Sequence, residues 1–227
     1  LAYAQEGMHF MNWDYSDICL QPPYSTLRAQ VIRRGEEPHL ISSGVTVNYS
    51  IPGNTHSADK TNFWAFPQPL LGTPAPNVGL TGHRLSGTMY AISGDEWAVT
   101  GLPVTPFDDL GRENPYPLAK ITGRVNGQIV AQTRAVIAAS TEINCALCHN
   151  PSDISTFADI LTDHDELHGT DLLSERPVLC ARCHADASLN LPGQSGVSTL
   201  SSAIHTAHAP RVPVLGLANE CFACHPG

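Results

Sequence analysis

The pattern of apolar and polar positions changes at about residue 140. Before that point, short segments alternate between apolar and polar residues, as in "GVTVNYSI" at 44–51, and this period of two is typical of half-buried strands. Beyond it, apolar residues and histidines recur at helical spacing in "SDISTFADILTDHDELHG" at 152–169. The change predicts two domains, which we place at 1–140 and 141–227.

The first domain is predicted to be mainly β, with an antiparallel β-sandwich-like fold. Asn126-Gly127 lies between two β-rich runs, and this pair favours a tight type I′ hairpin. Prolines crowd the connections between segments, as in "FPQPLLGTPAPN" at 66–77. Several short strands with frequent turn signals are typical of a sandwich. Further strands are predicted at 25–32, 84–92 and 95–100.

The second domain is predicted to be small and loop-rich, with short helices. We expect Ser152 or Asp153 to cap the first helix and Gly169 to end it. A second helix is expected at 198–210, where Pro210 limits its extension. Few large apolar residues remain to build an interior here, so another component has to fill the middle of this domain.

Three copies of the pattern C-x-x-C-H lie in the second domain: "CALCH" at 145–149, "CARCH" at 180–184 and "CFACH" at 221–225. This pattern is the attachment sequence of c-type haem. The two thiols reach the two vinyl groups at one edge of the porphyrin, and the adjacent histidine binds the iron from the proximal side. The repetition predicts three covalent haems. The thioether anchors are then Cys145, Cys148, Cys180, Cys183, Cys221 and Cys224, and the proximal ligands are His149, His184 and His225.

Other chemistries of two nearby cysteines explain less of the pattern. A zinc ribbon uses two C-x-x-C pairs around one metal, which leaves the third motif and its histidine without a role. A thioredoxin-like dithiol expects one motif beside a βαβ pattern, and disulfides leave three histidines at one fixed offset unexplained. A zinc-binding structural protein is kept as an alternative. So is a haem enzyme or sensor in which one iron has an open distal position.

Each iron has a sixth ligand position, and the sequence offers histidines for it. All three methionines lie in the first domain, whereas four histidines lie between the motifs. We predict His164, His205 and His208 as distal ligands, with His168 as a reserve. His9 is a further reserve, for a haem of its own chain or of a neighbouring one. Which histidine meets which iron does not follow from the sequence.

Charge and length narrow the class of protein. The net charge is −9, which argues against nucleic acid as a partner, because the phosphate backbone needs a basic surface. Charged residues make up only 15%, so either partners or cofactors cover much of the surface, or this is a secreted β protein rich in Gly, Pro and Ser.

No apolar run is long enough for a transmembrane helix. The first residues, without an initiator Met, predict a mature form whose export signal has been removed.

One cysteine, Cys19, lies outside the three motifs. Cys19 lies in the apolar segment "DICLQPP" at 17–23 and is expected to be a buried thiol, the alternative being a bond between molecules. Irons with six protein and porphyrin ligands cannot bind a substrate, so we expect electron transfer rather than enzymatic catalysis. Three haems on so short a domain have to lie close together.

The chain resembles multihaem c-type cytochromes exported by bacteria that respire on extracellular acceptors. Beyond the haem motifs, the resemblance is carried by "VTVNYSIPGNTHSADKTNFWAF" at 45–66, "NVGLTG" at 77–82 and "LPVTPFDD" at 102–109, which look like the β domain that precedes the haem region in large members. The resemblance implies bis-His haems, a cell-surface, extracellular or periplasmic location, and redox proteins or extracellular acceptors as partners. It also implies homopolymers through haem–haem contacts, since some members form filaments. Two departures are the presence of only three haems and a sequence that stops just after the third motif.

Overall fold

The computed structural model describes residues 1–6, 8–68 and 70–225. Strands make up 29% of the chain and the described residues form only two α-helices, so the expected mostly β fold with antiparallel sheets is confirmed. The helices are α1 (Thr156–His168) and α2 (Leu200–His208). The strands of the described residues are β1 (Ala2–Ala4), β2 (Met8–Phe10), β3 (Ile18–Cys19), β4 (Ser25–Ala29), β5 (Val31–Arg33), β6 (His39–Ile41), β7 (Thr46–Ser50), β8 (Ser86–Thr88), β9 (Tyr90–Ile92), β10 (Glu96–Leu102), β11 (Leu118–Val125), β12 (Gln128–Val136), β13 (Ala138–Ser140) and β14 (Val178–Leu179).

The chain forms two compact units. The first comprises Leu1–Met11, Pro23–Trp64 and Pro74–Ser140, and the second comprises Asn12–Pro22, Ala65–Thr73 and Thr141–Gly227. The second unit therefore takes two segments that the sequence analysis placed in the domain at 1–140. Strand pairing is the physical reason for the first of these segments, because β3 lies beside β14 in a parallel pair.

The first unit contains two four-stranded antiparallel sheets. One has the strand order β1-β4-β10-β9, and the other has the order β12-β11-β7-β8. Buried apolar side chains of both sheets belong to one cluster, which includes Leu27 and Val99 from the first sheet and Val47 and Ile121 from the second. Alternating positions along β7 bury Val47 and Tyr49, as the period of two at 44–51 predicted.

The hairpin expected at Asn126-Gly127 joins β11 to β12. Asn126 has a φ of 48° and Gly127 a φ of 79°, as the two central positions of a type I′ turn require. The two strands pair in antiparallel register from Leu118 opposite Val136 to Val125 opposite Gln128. This prediction is confirmed to the residue, because the turn type is set by two adjacent side chains and needs no distant contact.

The strand predicted at 25–32 is instead two strands. β4 ends at Ala29 and pairs with β1 and β10, whereas β5 pairs with β6 in a separate two-stranded sheet. Apolar alternation continues through Gln30, so the pattern alone shows no break. The break arises because the two halves of the segment find different partner strands.

The second unit has a small apolar core. Ile18, Phe157, Leu161 and Val178 are its buried members. Trp13 stacks on Phe157 with ring centroids 4.5 Å apart. Among the described residues, this cluster has fewer buried members than the cluster of the first unit, so it buries less apolar surface.

The N-terminus of α1 is held by a polar network. The Ser155 hydroxyl accepts from the amide of Ala158 at 3.0 Å and donates to the Asp17 carboxylate. Asp17 also accepts from Arg176 Nη1 at 2.9 Å. The expectation of a cap at Ser152 or Asp153 is therefore wrong. The helix begins later because the side chain of Ser155 is the one that reaches a free amide of the first turn.

The ends of both helices fit the sequence pattern more closely. Gly169 ends α1 with a φ of 66°, the left-handed conformation that glycine adopts without steric cost. Thr199 caps α2, its hydroxyl accepting from the amide of Ser202 at 3.2 Å. The helix expected at 198–210 is thus confirmed, and it is two residues shorter than predicted at each end.

Candidate functional site

The three C-x-x-C-H motifs share one backbone conformation. Each begins in a 3₁₀ turn, at Cys145–Leu147, Cys180–Arg182 and Glu220–Ala223. In every motif the amide of the second cysteine donates to the carbonyl of the first at 3.2 Å. The amide of the histidine donates to the same carbonyl at 2.8 to 3.0 Å. The turn therefore places both thiols and the imidazole of each motif in the same local arrangement three times.

The helices present the histidines that lie between the motifs. His164 and His168 are one turn apart on α1, and His205 and His208 lie three apart on α2. Residues three or four apart on a helix are neighbours on its surface. His164 and His208 are half-buried, whereas His205 is exposed.

Each motif histidine lies against one of the histidines predicted as distal ligands. The three pairs, with the distance between ring centroids, are His149 and His208 at 6.4 Å, His184 and His164 at 6.3 Å, and His225 and His205 at 6.3 Å. The rings of the first two pairs are steeply inclined, at 73° and 89°, and those of the third are nearly parallel, at 19°. The fold thus brings together three pairs of imidazoles from distant parts of the chain.

Hydrogen bonds assign the proton on most of these rings to Nδ1. His184 Nδ1 lies 2.9 Å from the carbonyl oxygen of Ser198, and His205 and His208 Nδ1 each lie 2.7 Å from the carbonyl oxygen four residues earlier. A carbonyl oxygen can only accept, so Nδ1 must donate. The neutral ring then keeps its lone pair on Nε2, the nitrogen suited to a metal.

His164 reaches the same state through a hydroxyl. Its Nδ1 lies 3.0 Å from Thr170 Oγ1, and the Thr170 hydroxyl donates its single hydrogen to Asp165 Oδ1 at 2.6 Å. Thr170 Oγ1 is therefore an acceptor for His164 Nδ1, and Nε2 again carries the lone pair. Burial is the main cause that lowers the pKa of His164, which favours the neutral form that binds metals.

The arrangement fits an iron with two histidine ligands. Two imidazoles bound to one metal through Nε2, with bonds of roughly 2 Å, place their ring centroids about 6 Å apart. The three observed separations, 6.3 to 6.4 Å, agree with this value. Each pair also includes a C-x-x-C-H motif, whose cysteines are the anchors of a c-type haem. The donor set and its spacing therefore suit bis-His haem c at three places.

The two reserve histidines have other surroundings. His168 is exposed at the end of α1, and its ring lies 4.7 Å from that of His164. His9 is buried in the first unit, on β2, where it is opposite Ala139 of β13.

The cysteine positions do not favour a zinc site shared by two motifs. All seven cysteines belong to the described residues, and none of them forms a disulfide. Burial raises the pKa of Cys145 to about 11 and that of Cys180 to about 12, so both thiols are protonated in the metal-free protein. Among the described residues, the group with metal-ligand atoms within 4.8 Å of one another is His149, Asp159 and Asp163, which contains no cysteine.

Asp159 is a site residue that sequence reasoning missed. Its Oδ2 lies 3.0 Å from His149 Nδ1, and Asp163 Oδ2 lies 3.5 Å from the same nitrogen. Asp165 and Thr170, which act on His164, were missed as well. All of them look like ordinary polar residues of a helix surface in the sequence, and no spacing rule marks them.

A separate polar cluster joins two loops of the first unit. Asp109 accepts from Lys60 Nζ at 2.9 Å and from the amide and hydroxyl of Thr55 at 2.8 and 3.0 Å. His56 Nδ1 lies 3.3 Å from Asp109 Oδ1. Burial opposes ionisation, but the hydrogen bonds from Lys60 and Thr55 outweigh it and hold the pKa of Asp109 at about 2.

Comparison with known proteins does not indicate a function, so any inference about function rests on the geometry of the site. No family model, no curated protein and no solved structure matches the chain. Within the part of the chain that the structure describes, neither helix is long and apolar enough to cross a membrane.

Proposed function

We propose that this chain is an electron-transfer protein that carries three c-type haems in its second unit. The observation that carries the proposal is the pairing of each motif histidine with a second histidine at 6.3 to 6.4 Å. Three pairs at one spacing, each beside two cysteines, match the ligand set expected for bis-His haem c and support the proposal.

The residues that would hold each haem follow from the pairs. The motif at 145–149 would be completed by His208, the motif at 180–184 by His164, and the motif at 221–225 by His205. Haem supplies reversible one-electron reduction of its iron. Two histidines of the chain would bind each iron, with the proton held on Nδ1, and would leave no ligand position for a substrate, so no enzymatic activity is proposed.

The first unit is proposed to be a β-sandwich-like scaffold for the haem unit. Its two four-stranded sheets share one buried apolar cluster, the arrangement in which two sheets cover a common core. Export from the cell, exchange with redox partners or extracellular acceptors, and assembly into filaments stay predictions from the sequence. Electron microscopy of the purified protein under native conditions checks the last of these.

Haem content tests the proposal directly. We expect the intact mass of the purified protein to exceed the polypeptide mass by three haems, with the absorbance bands of low-spin c-type haem. The Cys183→Ser variant should lose the thioether bond at one motif, visible as altered haem attachment at that motif alone. Cys19→Ser is the matched control, because Cys19 lies outside the motifs, and it should retain three haems.

Other outcomes point to other functions. A mass equal to that of the bare polypeptide, or stoichiometric zinc in a colourless preparation, would overturn the proposal. Carbon monoxide is the probe for the alternative of a haem enzyme or sensor. If it perturbs the spectrum of one haem in the reduced native protein, one distal position is open and pure electron transfer is ruled out.

A further inference from the structure

We propose that Asp159 is a positioning residue that makes the haem of the motif at 145–149 the one with the lowest reduction potential. This inference rests on the proposed function, since it concerns how a ligand of that haem is held. The inference goes beyond the proposed function because it distinguishes one of the three haems from the others. A difference in reduction potential between the haems gives electron flow among them a direction.

The local structure of α1 places Asp159 beside His149. Asp159 lies in the first turn of α1, where its amide donates to the carbonyl of Ser155 at 2.9 Å. Its side chain is mostly covered, with 24% exposed, as is that of His149, with 19%. Oδ2 of Asp159 lies 3.0 Å from His149 Nδ1, within the range of a hydrogen bond. The contact is thus partly shielded from water, which strengthens it.

A second carboxylate lies one turn further along the same face. Asp163 is four residues after Asp159, and its Oδ2 is 3.5 Å from His149 Nδ1. Its side chain is 55% exposed, so water screens its charge more strongly. His149 is therefore held by one close carboxylate and influenced by a second, weaker one.

Four of the other five histidines proposed as ligands have neutral acceptors at Nδ1. Those of His184, His205 and His208 are backbone carbonyl oxygens, and that of His164 is the Thr170 hydroxyl. Among these five rings, His149 alone has a carboxylate as its direct partner at hydrogen-bond distance. His149 therefore differs from the other four rings in the negative charge of its acceptor, since all five rings have an acceptor.

A carboxylate at Nδ1 changes the histidine as a ligand. By accepting the Nδ1 hydrogen bond, it polarises the N–H bond and makes Nε2 more basic. A more basic ligand, with a negative charge behind it, favours ferric over ferrous iron. The couple transfers one electron, no bond is made or broken, and the Nδ1 proton stays on His149. The haem at 145–149 is then the last of the three to be reduced and the first to be oxidised.

The test compares redox titrations of the full-length haem protein. Wild type should show three midpoint potentials, and Asp159→Asn should raise the lowest of them. We expect the equilibrium constant for reduction to increase by about tenfold, which is about 59 mV for a one-electron couple. Asp163→Asn should shift the same potential in the same direction by less. Asp159→Glu, which keeps the charge, should restore most of the wild-type value.

A matched control separates this effect from a general loss of charge. Glu166→Gln removes one carboxylate from an exposed position of the same helix, about 10 Å further along its axis. This variant should leave the lowest potential close to the wild-type value. The electron paramagnetic resonance spectrum gives an independent readout, because the ferric signal of one haem should change in Asp159→Asn and remain unchanged in Glu166→Gln.

Each result has a definite meaning. If wild type carries three haems but Asp159→Asn shifts no potential, or shifts it no more than Glu166→Gln does, Asp159 does not tune the iron and this inference is wrong, while the proposed function stands. If wild type carries no haem, both fail. A haem-free protein that binds added zinc through His149, Asp159 and Asp163 would assign this group to a metal site instead.

Discussion

At the scale of the residue, the proposed haem ligation depends on which nitrogen of each histidine carries the proton. For His184, His205 and His208 the acceptor is a backbone carbonyl, so the position of the proton follows from the fold of the main chain itself. The sequence identifies the motif histidines, because each of them directly follows a cysteine pair. The acceptor at Nδ1 has no sequence signature, since any carbonyl serves.

Cys19 allows a prediction at the same scale. Its side chain is 0% exposed, which confirms the expected buried thiol, and burial raises its pKa well above the ordinary value. Both effects suppress the thiolate that reacts with alkylating agents. We expect iodoacetamide to modify no cysteine in the native protein and one cysteine per chain after denaturation. Mass spectrometry of the tryptic peptides identifies the modified residue.

The number of modified cysteines also tests whether the haems are covalently attached. If the six motif cysteines are thioethers, they cannot be alkylated even in the unfolded chain. Seven modified cysteines after denaturation would contradict the covalent attachment. Rapid modification of Cys19 in the native protein would contradict its burial.

At the scale of elements, patterns within one segment proved more predictable than pairings between segments. The Asn126-Gly127 hairpin and the end of α1 at Gly169 follow from backbone conformations that one or two residues dictate. The cap of α1 was misplaced at Ser152 or Asp153, because several polar residues precede the helix and only the fold shows that Asp17 and Ser155 meet. The two-residue strand β3 was not predicted at all, since its partner β14 lies far along the chain.

The loops joined by Asp109 predict a pH dependence of stability. Because the pKa of Asp109 is lowered from 3.8 to about 2 in the folded protein, its carboxylate stabilises the fold above about pH 4, and this contribution is lost as the pH falls towards 2. At pH 7, Asp109→Asn should lower the free energy of unfolding by roughly 1 kcal/mol. The difference between wild type and variant should then shrink as the pH falls through this window.

Urea denaturation of both proteins at several pH values measures this difference. Glu113→Gln provides the control, because Glu113 is an exposed carboxylate of a nearby loop and should give little change at any pH. A difference for Asp109→Asn that is the same at pH 7 and pH 2.5 would show that the carboxylate does not act through its charge.

At the scale of the whole molecule, the three histidine pairs connect two helices to three motifs spread over the second unit. His164 precedes His184 by 20 positions and His205 precedes His225 by 20, whereas His208 follows His149 by 59, so no single spacing relates all three motif histidines to their partners. The pairing is decided by how α1 and α2 pack among the turns. The residues could be proposed from the sequence, but their partners could not.

Replacement of one distal histidine tests the pairing. In His208→Ala we expect one of three haems to lose its sixth ligand, to show a high-spin ferric signal and to bind carbon monoxide when reduced. His168→Ala is the matched control on α1, because the ring of His168 contacts that of His164 rather than a motif histidine. It should leave all three haems low-spin and closed to carbon monoxide. If His168→Ala instead opened one haem to carbon monoxide and His208→Ala did not, His168 rather than His208 would be the distal ligand.

The sequence by itself determined features that are local: three cysteine pairs with their histidines, the tight hairpin, the helix end at Gly169 and a mostly β first half. These depend on neighbouring residues, whose spacing along the chain is also their spacing in space. Tertiary structure alone decided which imidazoles face each other, that Asp159 lies against His149, and that 12–22 belongs to the second unit. Such contacts join segments far apart in the chain, and they exist only once packing and strand pairing have brought those segments together.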